Sequence, residues 1–347
     1  MPENAIQQSY EIDGPIRTVI ETLALYLYLI PAGAAVFLLF TKSRYQSILR
    51  ALRWLRSRNW TEILLVRVVL AYAVTSVFAN LYVKFKVNIP TFTDYTWDHF
   101  FAEVDRRLFF GHDPWVLSHA IFPGPDFTSL IDKLYIVWFL EMQLAALAIA
   151  LLPLRNPVRL TYLLAFGLSA GLCGNLLAIL FPAVGPVYLE PLTGDPMFAP
   201  LMDLLNRQSA ELHLQALSLH QLGWEGYANP DANPLGISAF PSVHVQMATI
   251  FALAGFAANR YLGWIATLYA AAVMIGSVHL AWHYAIDGIA GIALAFLIWK
   301  FSWAVTTWWL AQTEPAAAIA ADSALETPIP VPVPGSPGYL GEDQEAR

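Results

Sequence analysis

Residues 277–291 read SVHLAWHYAIDGIAG, and residues 236–250 read GISAFPSVHVQMATI. Both runs are apolar enough for a membrane interior, yet they carry His244, His279, His283 and Asp287. An ionisable group at the centre of a span costs at least about 2.5 kcal/mol, so such groups turn inward, pair, or sit near a helix end. A bundle of helices closed around a polar site reconciles the two properties.

The rest of the chain agrees with that fold. Its 347 residues are 57% hydrophobic and 13% charged, with mean hydropathy +0.51, whereas soluble domains carry about 25% charged residues. Apolar stretches near 18–41, 61–83, 132–153, 159–182, 241–258, 262–281 and 284–300 are each long enough, or nearly so, to cross about 30 Å of hydrocarbon. The expected class is therefore all-α, a polytopic membrane bundle of seven candidate spans. The first stretch follows the acidic MPENAIQQSYEIDG and precedes no cleavage signal, so it is expected to be retained. Three regions follow: 1–60, a span plus a basic amphipathic segment at the interface; 61–311, the bundle; and 312–347, a Pro/Ala-rich acidic tail expected to be disordered. The net charge of −7 lies largely in loops and tail and points to no nucleic-acid partner. Cys173, the single cysteine, excludes an internal disulfide.

Basic residues give an orientation. Lys42, Arg44, Arg50, Arg53, Arg56 and Arg58 fill the first connection, Arg155 and Arg159 the third, Arg260 the fifth, and Lys300 follows the last span. Those sides are expected to be cytoplasmic, as is the C-terminus, with connections 84–131 and 183–240 on the other face.

The i, i+4 spacing of His279, His283 and Asp287 predicts one polar stripe on one helix. Asp287 then accepts a ring N–H of His283, fixing the tautomer and leaving the other nitrogen as base or nucleophile. Pro241 is expected to open the helix that carries Ser242 and His244 in its first turn, where unpaired amides attract an anion. His279 has either a structural or a substrate-positioning role. Two other chemistries fit parts of the pattern. HxxxHxxxD with His244 resembles a zinc ligand set, although it lacks a separate general base. A proton relay in a transporter is the other, although no internal repeat is present and both motifs lie at span ends. Residues 201–222 alternate at helical spacing and predict one interfacial helix over the site.

PSVH (241–244), HYAID (283–287) and LFPAVGPVY (180–188) resemble the motifs of the type 2 phosphatidic acid phosphatase superfamily, most closely its inositol phosphorylceramide synthase and sphingolipid synthase branch. A weaker echo is DHFFAEVDRRLFFGHDP (98–114). The resemblance implies a six-span helical core, which leaves one extra N-terminal span, together with a nucleophilic His283, an orienting Asp287, His244 as general acid and base, and a phosphohistidine intermediate at the non-cytoplasmic membrane face. It implies no cofactor and no metal. The partners implied are the bilayer, a phospholipid donor and a lipid or water acceptor; Pro182, Gly185 and Tyr188 belong to the pocket wall, with Ser242 near the phosphate. The chain departs from the phosphatases proper, which carry KxxxxxxRP in the first motif and an arginine six residues before the nucleophile. Here Ser277 stands at that place and Val243 replaces the glycine of PSGH. Losing those cations favours a singly charged phosphodiester, hence headgroup transfer, over a lipid phosphate phosphatase. Arg106 or Arg107 is expected to fold back over the phosphate.

Overall fold

The computed structural model describes residues 66–228 and 236–325. The predicted first span, the basic segment 42–60 and the end of the tail lie outside them. Among the described residues every regular element is helical. Helix α1 is Val69–Val87, α2 Ile89–Phe92, α3 Asp98–Leu108, α4 Pro114–Ile121 and α5 Pro125–Leu151. Helix α6 is Pro157–Leu180, π-helical over Ser169–Leu177. Then come α7 Pro186–Thr193, α8 Ala199–Leu212, α9 Gln215–Ala228, α10 Val243–Ala258, α11 Arg260–His279 and α12 Ala285–Leu325.

Five of the described helices are long and apolar enough to cross a membrane: Val66–Val87, α5, α6, α11 and the Ala285–Thr313 part of α12; α10 is a shorter apolar helix. The protein is a multi-pass membrane protein with an all-α bundle. Local sequence sets where these rods start. Pro125, Pro157 and Pro186 occupy first-turn positions, where a missing N–H costs nothing. Asn156 accepts from the amides of Val158 and Arg159, Asn259 from that of Tyr261, and Ser242 from that of Val245, which covers orphan donors.

Small residues set how closely the rods pack. A Cβ on Gly291 would stand 2.7 Å from the Ser242 carbonyl oxygen, and one on Gly288 would run into Met274. Helix α12 therefore lies close against α10 and α11. Gly174, in the π-helical part of α6, likewise leaves room for the Tyr82 ring of α1.

Three expectations change. Residues 201–222 form parts of two helices, α8 and α9, because His213 turns left-handed (φ 52°) between them. The polar stripe is not on one helix: α11 ends at His279 and α12 begins at Ala285. Helix α12 also continues past Thr313 to Leu325, where EPAAAIAADSAL is rich in the strongest helix former, alanine.

Candidate active site

The linker between α11 and α12 is the centre of the site. Val187 donates its amide to the Ala281 carbonyl at 3.1 Å, and His283 donates its own to the Ser277 carbonyl at 2.9 Å. Between those ties Ala281 adopts φ 64°, a conformation that costs a non-glycine residue about 1 kcal/mol or more and persists only where neighbours enforce it. The reversal frees His283 from the helical row and points it into the bundle. Asp287, fully buried, accepts the Tyr284 amide through Oδ2 at 3.0 Å, and the same oxygen stands 3.4 Å from His283 Nδ1. That contact is an ion-pair distance and not a hydrogen bond; His283 Nδ1 and Asp287 Oδ1 each have no hydrogen-bond partner.

Helix α10 supplies the facing group. Its first turn brings His244 to 6.1 Å from His283, centroid to centroid. Trp138 and Tyr135 of α5 stack around the His244 ring at 4.2 and 5.3 Å, and Trp138 Nε1 donates to the His244 carbonyl at 3.1 Å. Both imidazoles border a cavity of about 220 Å³. Its other walls include Val184 and Tyr188 after α6, Leu219 and Gly223 of α9, Trp282, and Lys86 near the end of α1.

The frame beneath is made of carboxylates. Asp98 of α3 accepts the amides of Val184 and Gly185 and the Tyr284 hydroxyl, at 2.9 to 3.1 Å. One face further along, Asp105 accepts the amides of Ala285 and Ile286 at 2.6 and 2.8 Å. It thus caps the very helix that carries Asp287. Burial pushes the Asp105 carboxyl up to about 7, even though the two amides favour its ionised form, and burial also raises Asp98. Neither acid was singled out from the sequence. The signal was present: Asp98, Phe101, Ala102 and Asp105 recur at i, i+3, i+4 and i+7 and are all buried, so two acids sit on the apolar face of an amphipathic helix.

The remaining residues fall into place unevenly. Gly185 (φ 85°) passes so close to the linker that a Cβ would stand 2.7 Å from the Trp282 carbonyl oxygen. Tyr188 borders the cavity and donates its hydroxyl to the His220 carbonyl at 3.1 Å. The Pro182 carbonyl accepts the amides of Thr96 and Trp97 and ties the first motif to the start of α3. Ser242 is fully buried and caps α10, with Pro241 ahead of the helix rather than in its first turn. His279 lies away from the cavity, fully buried, bonded to Ser118 and Thr128 and stacked on His119. It therefore does not join His283 and Asp287 on one metal-binding face, and among the described residues no group of three His, Cys, Asp or Glu is placed to hold a metal ion. Arg106 pairs with Asp113 at 2.7 Å and Arg107 with Glu103 at 2.9 Å, and neither borders the cavity. Nearby carboxylates compensate both guanidinium groups, whereas the cation on the cavity wall is Lys86.

Two imidazoles, a buried carboxylate beside one of them, and an ammonium thus surround one small space. A set of this kind has the groups that could supply a nucleophile, a proton carrier and a basic side chain to a single anion. No curated protein and no solved structure matches the chain. A profile of the PAP2 superfamily, however, matches residues 99–301, a stretch that begins in α3, ends in α12 and contains both histidines and Asp287. The chain belongs to the PAP2 superfamily, and it is an enzyme of the membrane phosphatase or phosphotransferase type.

Proposed function

We propose that the protein is a lipid phosphotransferase that moves a phospho-headgroup from a phospholipid to a second lipid, as in the inositol phosphorylceramide synthase branch. The observation that carries this reading is the 6.1 Å approach of His244 and His283 across one cavity. His283 attacks phosphorus while Asp287, 3.4 Å from its Nδ1, stabilises the charge the ring gains. The P–O bond to the leaving lipid breaks as protonated His244 delivers its proton to that oxygen. The result is a headgroup phosphate bound to His283 and a neutral His244. The acceptor hydroxyl then loses its proton to His244 as its oxygen attacks phosphorus, breaking the P–N bond and restoring both imidazoles. Water in place of the second lipid makes the same cycle a phosphatase. Arg155 and Arg159 stand just before and in the first turn of α6 and Arg260 opens α11, in each case at the end away from the site, which supports assigning the cavity to the non-cytoplasmic side and the C-terminus to the cytoplasm. Lys300, expected to follow the last span, lies midway along the apolar part of α12 instead.

The test is to incubate purified protein with a phospholipid panel, with and without ceramide or diacylglycerol, and to identify products by mass. A new phosphorylated lipid is expected only when the acceptor is present. His283→Ala should lower turnover by about a thousandfold or more, and acid-labile phosphohistidine should form in the wild type alone. Full activity in His283→Ala sinks the mechanism; equal turnover without any lipid acceptor shifts the assignment to phosphatase.

A further inference from the structure

The first motif of this chain, LFPAVGPVY, contains no charge, and the two arginines of α3 are held by carboxylates away from the cavity. A phosphate entering the site still needs a cation, because an uncompensated anion in an apolar cavity is strongly disfavoured. The cavity wall carries one basic side chain besides its imidazoles. Of its lining residues Lys86 alone is a lysine or arginine, and none is an aspartate or glutamate. Among the described residues no ion pair engages Lys86.

Lys86 is also held in place. It stands in the last turn of α1, its ammonium 5.7 Å from the centroid of the Tyr82 ring, one turn earlier on the same wall. Gly236 (φ 68°) closes over its backbone: a Cβ there would lie 2.7 Å from the Lys86 carbonyl carbon and 3.0 Å from its Cγ. The loop that leads into the PSVH motif therefore packs directly on the residue that brings the charge. Tyr82 in turn is seated against Gly174 of α6.

We propose that Lys86 is the phosphate-holding residue of this site and that, as its single fixed cation, it selects a phosphodiester over a phosphomonoester. This rests on the phosphoryl-transfer reading above and follows from a charge count at the intermediate. Once His244 has given its proton to the leaving oxygen, the phosphoryl group of a diester-derived phosphohistidine carries one negative charge, which Lys86 neutralises, while Asp287 offsets the positive ring. A monoester-derived one carries nearly two, and the excess stays uncompensated in an apolar cavity.

The experiment compares wild type, Lys86→Met, Lys86→Arg and His283→Ala in one detergent. The probes are phosphatidylinositol and phosphatidylcholine as diesters and phosphatidic acid as monoester, each with ceramide present, and folding is monitored by thermal unfolding. Wild type should favour a diester by about tenfold or more in kcat/KM. Lys86→Met should lose about 10- to 100-fold, mostly in KM, with Lys86→Arg recovering most of it. The proposal is overturned if Lys86→Met stays within twofold of wild type, if Lys86→Arg is as impaired as Lys86→Met, or if phosphatidic acid is the preferred donor. The parent reading fails separately, and takes this one with it, if no lipid turns over or if His283→Ala is fully active. An inactive His283→Ala beside an unimpaired Lys86→Met overturns Lys86 alone.

Discussion

The two ends of the bundle are held by opposite chemistry. At the end that contains the cavity, buried carboxylates collect backbone amides. Asp98 takes those of Val184 and Gly185, Asp105 those of Ala285 and Ile286, and Asp132 those of Gln215 and Ala216. At the other end a buried guanidinium collects carbonyls: Arg159 donates to Ile149, Ala150 and Leu152 at the close of α5 and to Arg67 beside α1. Helix N-termini leave N–H groups unpaired and C-termini leave C=O groups unpaired, and a carboxylate only accepts where a guanidinium only donates. The difference lies in what each anchor holds. Arg159 ties helix ends that carry no chemistry, whereas Asp98 and Asp105 tie the segments on which His283 and Asp287 ride. At the cavity end the hydrogen bonds that hold the fold also hold the residues proposed to carry the chemistry.

That contrast can be broken by substitution. Asp98→Ala strands two buried amides and the Tyr284 hydroxyl, at about 1–3 kcal/mol for each unsatisfied group. The variant should unfold at markedly lower temperature, and its folded fraction should turn over at least about tenfold more slowly, since the first motif and linker lose their common tie. Arg159→Met is expected to cost about 2–4 kcal/mol of stability through the carbonyls it leaves bare. Turnover per folded molecule should nevertheless stay within twofold. If Arg159→Met impairs catalysis as much as Asp98→Ala does, the two ends are not functionally distinct.

A graded effect sharpens the comparison through pH. Asp105 titrates at about 7 in the fold, against about 3.9 in an unfolded chain. Its folded value is raised, so the protonated acid favours the native state. This contribution is complete below about pH 4 and declines as pH rises to about 7, with a slope of at most about 1.4 kcal/mol per pH unit. Thermal unfolding in detergent across that window should show stability falling as pH rises, and Asp105→Asn should flatten the trend. An identical slope in both proteins removes Asp105 as its source.

Much of the architecture was legible in the chain. Apolar runs of span length located the described membrane helices, because a bilayer leaves backbone groups no partner but their own helix. The prolines at 125, 157 and 186 and the caps Asn156, Asn259 and Ser242 fix where rods begin, a local signal that was not read from the sequence, where Pro241 was expected to open α10. His244, His283 and Asp287 stood out because ionisable groups are rare in such runs. The carboxylate pair of α3 was less visible. Its spacing was regular, but only the folding of α3 beneath the start of α12 reveals which amides it holds.

By itself the sequence determined that the chain is a bundle of apolar helices and that two imidazoles and a carboxylate must turn inward, since hydrophobicity and charge are properties of residues. Tertiary structure alone decided that His279 leaves the stripe, because the reversal at Ala281 depends on an amide from Val187, almost a hundred residues earlier in the chain. It alone decided that the cavity's cation is Lys86 rather than the arginines of α3. A lysine at the end of a span and an arginine at an interface read alike as anchors. Glu103 meets Arg107 one turn away on the same helix and Asp113 reaches Arg106 from the turn that follows, but only folding sets Lys86 on a cavity wall that carries no carboxylate.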